Sequence, residues 1–587
     1  MKRRNFKSLC SIILSLILLI ALVPNFGHAQ KPVGGSNEVA VGKDGMVSTS
    51  HPLASEIGAD ILRKGGNAMD AAIAVQFALN VVEPMMSGIG GGGFMMVYDA
   101  ETDETTIVNS RERAPAGATP DMFLNPDGSI IPFQERVRHG NSVGVPGTLK
   151  GLEAAHEKWG TRPFQQLITP AFQLAQNGFS VDRQLALQIE NNKEKLAGTA
   201  AKDVFLPKGE PIKEGDWLVQ KDLAKTFKLI RSHGSDVFYD GEIGEALAAT
   251  VQDFGGSMTI EDLQNYGVTE DEPVWGEYKG YDIASMPPPS SGGLFLLQML
   301  KTLDSFDISQ YDRRSKEVYH LLAEAMHLSY ADRGAYAGDP EFVEVPMAGL
   351  LHPDYIAERS ALIDINSVNT NPQPGDPWQY ENVDPNYSVV EQNDDKDIGE
   401  TTHFTVSDRW GNLVSYTTTI EQVFGSGIMV PGYGLMLNNE LTDFDARPGG
   451  ANEVQPNKRP LSSMTPTIVF EDGKPIMSVG SPGGPTIITS VLQVVLNVID
   501  YEMGLEEAIA EPRIYTNAIN SYRYEDGISD GVLSELNAMG HRFPASSDLI
   551  GNVQSILIDY ENGEYVGVAD ARRDGASVGF TRPGKRK

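Results

Sequence analysis

The sequence predicts a layered body of α/β or α+β class rather than a doubly wound parallel sheet. Three observations carry this. Helical periodicity dominates the middle of the chain, hairpin-sized strand pairs with polar turns follow residue 400, and the two kinds of element come in runs as well as alternating. There is no internal repeat.

Taken in order, residues 30–45 read as a polar arm. Leu53 to Lys64 is periodic and stops at Gly65-Gly66, a helix C-cap signal. Asn67 caps a second helix, Met69 to Val82, which is apolar almost all round and therefore belongs inside. A glycine loop from Gly88 to Gly93 leads into a hairpin, Phe94 to Tyr98 with Thr105 to Asn109. Leu149 to Lys158, Phe164 to Gln176, Leu294 to Leu303 and Ser315 to Asp332 have helical spacing. Residues 364–400 are polar and rich in Pro and Asn, a long exposed loop. Beyond it come three hairpins: His403 to Ser407 with Leu413 to Thr419, Thr467 to Phe470 with Pro475 to Val479, and Val553 to Asp559 with Tyr565 to Ala569. Ser481-Pro-Gly-Gly484 opens a helix from Thr486 to Ile499.

Composition narrows the function. The chain has 587 residues, 47 Lys+Arg against 79 Asp+Glu, and one cysteine. A formal charge of −32 repels phosphates, so nucleic acid is not an expected partner. One cysteine supports neither a disulfide framework nor a Cys-rich metal site. Lys2, Arg3, Arg4 and Lys7 precede an apolar run from Leu9 to Val23, then Pro24-Asn25 and the small residues of Gly27-His28-Ala29. That is the pattern of a secretory signal peptide over residues 1–29, too short for a membrane span. Cleavage after Ala29 removes Cys10 and four basic residues, leaving a thiol-free exported protein of charge −36 with no remaining membrane-spanning stretch.

Two tempting motifs fail on context. Gly88, Gly90 and Gly93 match G-x-G-x-x-G but follow a helix and precede a strand, the reverse of a dinucleotide site; a tight loop packed closely on other backbone fits better. His320 and His327 share a helix without H-E-x-x-H spacing, so neither is assigned to a metal.

The junction Glu400-Thr401-Thr402-His403 carries chemistry of another kind. If the bond before Thr401 is cut, its hydroxyl gains a neighbouring α-amino group of pKa ~7.7–8.0, a base for its own nucleophile. The hydroxyl can make the cut itself by attacking the Glu400 carbonyl. Taken locally, the commoner reading is a β-branched residue entering a strand.

The wider pattern reverses that weighting. Ser110-Arg-Glu-Arg-Ala-Pro-Ala116, Val143 to Gly151 and Thr401-Thr-His-Phe-Thr-Val406 with Asp408-Arg-Trp-Gly-Asn412 and Thr417-Thr-Thr419 appear in order. Leu437-Asn-Asn-Glu440 with Asp443-Phe444, Pro456 to Met464 and Gly480-Ser-Pro-Gly-Gly484 follow. Together these six motifs resemble the γ-glutamyltranspeptidase family of N-terminal-nucleophile hydrolases, over about residues 41–580. The resemblance implies a four-layer αββα sandwich, with a large chain 30–400 and a small chain 401–587 made by a cut between Glu400 and Thr401 and held as a heterodimer. It implies Thr401 as nucleophile, Thr419 as the hydroxyl orienting the new amine, and Gly483 and Gly484 as the oxyanion hole. Arg111, with Ser462 and Ser463, would take the substrate α-carboxylate, and Glu421, Glu440 and Asp443 its α-ammonium. Implied partners are glutathione, glutamine and other γ-glutamyl donors, with water, amino acids or peptides as acceptors; no cofactor or metal is needed. Only 18 residues separate Asp443 from Ser462, which predicts a short lid or none and access for bulky donors such as poly-γ-glutamate. The alternatives are a glutaryl- or cephalosporin-type acylase of the same superfamily, or an uncut exported binding protein.

Overall fold

The computed structural model describes residues 38–390 and 399–582. The expected signal peptide and the first part of the arm lie outside them, as do residues 391–398 of the polar loop. Two seven-stranded antiparallel sheets organise the rest. In chain order the strands are β1 (Val39–Gly42), β2 (Gly45–Thr49), β3 (Gly92–Asp99), β4 (Glu104–Asn109), β5 (Thr269–Asp271), β6 (Val274–Tyr278) and β7 (Tyr281–Ser285). They continue as β8 (Thr402–Asp408), β9 (Leu413–Thr419), β10 (Thr467–Glu471), β11 (Lys474–Gly480), β12 (Gln554–Asp559), β13 (Glu564–Ala569) and β14 (Ala576–Phe580). One sheet runs β14-β2-β8-β9-β3-β4-β5, the other β1-β13-β12-β11-β10-β7-β6.

The helices that matter here are α1 (Pro52–Arg63), α2 (Ala68–Val82), α3 (Phe164–Asn177), α4 (Lys221–His233), α5 (Gly292–Asp304), α6 (Lys316–Tyr336) and α7 (Thr486–Ile499). Their apolar faces decide the layers. One core joins α1 to α4 with Val97, Val406 and Val414 on the outer face of the first sheet. A second joins α5, α6 and α7 with Ile283, Val469, Met477 and Val479 of the other sheet. Between the sheets lies a smaller cluster with Phe94, Met96, Leu413, Ile468 and Phe470. The order is helices, sheet, sheet, helices, the expected αββα sandwich.

Every residue of α2 is buried, as its all-round apolarity requires. Asn67 and Asp70 close a capping box at its start. Phe77 projects from it edge-on to Phe164 and Phe227, at 6.0 and 5.4 Å between ring centres. Removing that ring costs about 3–5 kcal/mol in comparable cores.

Six strands of these two sheets were not expected: β1, β2, β5, β6, β7 and β14. Val39–Gly42 is an edge strand rather than part of a polar arm, and Gly45–Thr49 pairs with both β8 and β14. Short β5 and the hairpin β6–β7 extend the two sheets through a region that reads as helical. Among the described residues no helix is long and apolar enough to cross a membrane.

Candidate active site

The hairpin β8–β9 builds the centre of the site. Asp408 sets its turn: Oδ1 accepts from the backbone N–H of Trp410 at 2.8 Å and of Asn412 at 3.2 Å, and Oδ2 accepts from Asn412 Nδ2 at 2.9 Å. The same Oδ2 accepts the Ala68 N–H at the head of α2, at 2.8 Å. With the turn fixed, Thr402 lies opposite Thr418, so Thr401 and Thr419 meet at the open end. A one-residue slip would send Thr419 to the other face.

At that end three hydroxyl and carbonyl groups converge. Thr419 Oγ1 donates to the Glu400 carbonyl at 2.8 Å and accepts the Glu421 N–H at 2.8 Å. Thr401 Oγ1 is 3.4 Å from Thr419 Oγ1, and Thr401 is nearly fully buried. In the continuous chain Thr419 therefore polarises the peptide bond before Thr401. The Glu400 side chain pairs with Arg573. Below, Thr402 Oγ1 bonds Ser50 Oγ at 2.7 Å and Glu83 Oε2 at 2.9 Å. His403 bonds Thr417 Oγ1 at 2.8 Å, and burial pushes its imidazole down to about 3, so it is neutral.

Gly483 and Gly484 lead into α7 with φ of 125° and 53°, conformations that favour glycine. A side chain on Gly484 would stand 2.8 Å from the Gly399 nitrogen, so the segment ahead of Thr401 packs directly on this loop. The glycine loop before β3 acts similarly: a Cβ on Gly91 would lie 2.0 Å from the Thr419 carbonyl oxygen. Close approach to backbone, not a nucleotide, explains that motif.

Arg111 is buried at the end of β4. Its Nη1 pairs with Glu440 and its Nη2 with Asp443 at 2.6 Å, while Nε and Nη2 donate to the carbonyls of Pro460 (3.2 Å) and Leu461 (2.8 Å). The expected carboxylate clamp is thus already engaged by two of the expected ammonium acceptors. Glu421 accepts from Asn439 Nδ2 and, at 3.2 Å, from Gln422 Nε2. Burial, then the neighbouring Asp443 and Glu440 charges, push its carboxyl well above the usual range. Glu112, fully buried, faces Glu440. Burial, then the Glu440 charge, push its carboxyl well above the usual carboxylate range. Asn438 ties the neighbourhood together, donating to the carbonyls of Gly90 and Gly144 at 2.8 and 2.9 Å.

A cavity of about 480 Å³ joins these groups, bringing Arg111, Thr401, Thr419, Glu421, Glu440, Asp443, Ser462, Ser463 and Gly484 to one surface. Gly483, next to Gly484, is not part of its lining. Sequence reasoning missed Arg573, Glu112 and Arg333, and also the wall formed by Tyr515, Asn517 and Ser521 to Arg523. Arg573, Arg333 and the wall residues reach the site from distant elements without a local signal, whereas Glu112 stands beside Arg111 in the first motif and is singled out only by facing Glu440. His320 bonds His541 and the Asp364 carbonyl, and His327 bonds Thr516. Among the described residues no group of three or more His, Cys, Asp or Glu is arranged to hold a metal.

Two helix-covered antiparallel sheets, with a threonine heading a central strand beside a polarised peptide bond, define a class: the N-terminal-nucleophile hydrolases. A family model described as gamma-glutamyltranspeptidase matches residues 54–580. A relative from Bacillus subtilis (strain 168) named glutathione hydrolase proenzyme is 66% identical over 581 residues, 98% of this chain and 99% of its own. One of the same name from Escherichia coli (strain K12) is 40% identical over 554 residues, 92% of each chain. The crystal structure of a cephalosporin acylase from Bacillus halodurans aligns with a TM-score of 0.82 at 28% identity, covering 94% of this chain and 99% of that one. The chain belongs to the γ-glutamyltranspeptidase family.

Proposed function

We propose that this protein is an exported γ-glutamyltransferase and glutathione hydrolase that matures by cutting itself between Glu400 and Thr401. The observation that carries this is the Thr419 hydroxyl on the Glu400 carbonyl, with the Thr401 hydroxyl alongside. Thr401 Oγ1 attacks the Glu400 carbonyl carbon, and Thr419 supports the negative charge that develops on its oxygen. The C–N bond breaks, the nitrogen becomes the α-amine of Thr401, and water opens the ester to leave Glu400 as a carboxylate. The large chain, 30–400, and small chain, 401–587, stay together because β8 and β9 lie between β2 and β3 in one sheet.

In the cut enzyme the α-amine takes the Thr401 hydroxyl proton as Oγ1 attacks the γ-amide of a donor. Backbone N–H groups at Gly483 and Gly484 meet the oxyanion. The amine then returns the proton to the leaving amide nitrogen, and a γ-glutamyl ester remains on Thr401. Water or the amine of an amino acid or peptide takes the acyl group.

Recognition follows from the ion pair already in the pocket. A γ-glutamyl head group is a zwitterion. It enters by exchange, its carboxylate meeting Arg111 and its ammonium meeting Asp443 and Glu421, so that each of its charges finds an opposite one. A glutaryl group brings only the carboxylate and would strand the acidic side. This separates the reading from the acylase activity that the Bacillus halodurans neighbour is named for. Donors are glutathione, glutamine and, through the pocket mouth, longer γ-linked chains.

Denaturing electrophoresis with N-terminal sequencing tests the cut: a small fragment starting at Thr401 is expected, and a single intact chain defeats the proposal. Turnover of γ-glutamyl-anilide well above glutaryl-anilide is expected; the reverse order would make it an acylase. Absence of any activity on γ-linked polyglutamate would remove that donor.

A further inference from the structure

Three arginines line the catalytic cavity: Arg111, Arg333 and Arg523. Arg111 is engaged by Glu440 and Asp443, and Arg523 by Asp548. Arg333, half-buried near the end of α6, pairs with no carboxylate among the described residues. Its Nε donates to Ser291 Oγ at 2.8 Å and its Nη2 to Ser463 Oγ at 2.9 Å. In a chain of formal charge −32, a cation held in the pocket wall by two neutral hydroxyls is a site prepared for an anion.

The hydroxyls point the same way. A serine oxygen offers one proton and two lone pairs. Ser463 Oγ uses a lone pair to accept from Arg333, so its proton is available to a further acceptor. Ser462 Oγ accepts the Met464 N–H at 3.1 Å, which leaves its proton similarly available. Ser291 Oγ, which holds Nε of Arg333, donates to the Ser462 carbonyl at 2.7 Å and so locks the arginine to the Ser462-Ser463 segment.

We propose that Arg333 is a specificity-determining residue of the donor pocket: with Ser463 it binds the α-carboxylate of the γ-glutamyl group, a charge that Arg111, tied to two acids, does not balance alone. This rests on the γ-glutamyl reading above. Arg333 polarises the Ser463 hydroxyl as a donor and supplies the positive charge behind it.

The test compares γ-glutamyl-anilide with its α-carboxamide, which keeps the ammonium and loses the anion. Arg333→Gln should reduce the wild-type preference for the acid at least tenfold, with most of the loss in KM rather than kcat, and Arg333→Lys should restore part of it. Combined with Ser463→Ala, the loss should be smaller than the product of the two single losses, because both act on one carboxylate. An unchanged preference in Arg333→Gln, or independent multiplicative losses in the double variant, overturns the proposal. Should Arg333→Gln fail to fold or cut, Ser291→Ala, which frees Nε, should show the same loss at smaller size; an unchanged preference there overturns it equally. A wild-type enzyme inert on γ-glutamyl-anilide would defeat the enzymatic reading itself, whereas an active wild type with indifferent variants defeats only the role of Arg333.

Discussion

The open end of the β8–β9 hairpin and the pocket around Arg111 are built on opposite principles. At the hairpin end the groups are neutral hydroxyls and backbone, and their meeting is settled by strand register. Around Arg111 the groups are charges, and their arrangement is settled by mutual compensation in a largely buried place. Bond making needs atoms fixed to fractions of an ångström, which a sheet supplies. Recognition of a zwitterion needs charges that can change partners, which an internal ion pair supplies. The two regions should therefore fail differently.

The largest effect belongs to the hairpin end. Thr401→Ala should leave one uncut chain on a denaturing gel and lower turnover of γ-glutamyl-anilide by on the order of 10⁴-fold or more. Gly91→Ala probes the same end without touching a reacting atom. Its methyl would press on the Thr419 carbonyl, so a time course of cutting should slow about 100-fold. A normal time course would show that Thr419 tolerates displacement.

The charged region should break more gently and more selectively. Asp443→Asn leaves the Arg111–Glu440 pair and removes part of the ammonium's reception. The enzyme should still cut itself, while the preference for γ-glutamyl- over glutaryl-anilide falls about 10–100-fold. Loss of cutting in this variant would merge the two regions into one.

Glu112→Gln should have the smallest effect at neutral pH and the clearest pH signature. Burial raises the Glu112 carboxyl above its unfolded value, so its contribution to stability is complete at low pH and drains away as pH rises through the folded-state value. Glutamine cannot ionise. Melting temperature followed upward from acid pH should fall less in the variant than in the parent. Parallel curves would mean Glu112 is already ionised.

Much of this could be read from the sequence where the signal is local. Asp408-Arg-Trp-Gly-Asn412 announces a turn, and from it the pairing of Thr401 with Thr419 follows by counting. Asn67 and Asp70 mark a helix start, and the unbroken apolarity of α2 marks its burial. The unexpected strands lacked such signals. Thr269–Asp271 is polar and three residues long, and is a strand only because Ile107 to Asn109 lie beside it. Val39–Gly42 and Ala576–Phe580 are joined to their partners by contacts spanning most of the chain. In the site, the six motifs contain Arg111, Thr401, Thr419, Glu440, Asp443, Ser462, Ser463 and Gly484, which share one cavity. Arg573 and Arg333 stayed hidden, and Glu112 stood in the first motif without a role, because pairing with Glu400, Ser463 or Glu440 is a property of three-dimensional approach, not of spacing.

Asp408 carries one more consequence. Its carboxylate turns the hairpin and also receives the first N–H of α2, at the end of β8 far from the scissile bond. One carboxylate thereby links the seating of the central helix to the hairpin that aligns Thr401 with Thr419. A chain that has not seated α2 has no reason to place Thr401 against Thr419, and so keeps its full length. Under the proposed self-cleavage, fragment size on a gel would be a proofreading record, separating molecules that assembled correctly from those that did not.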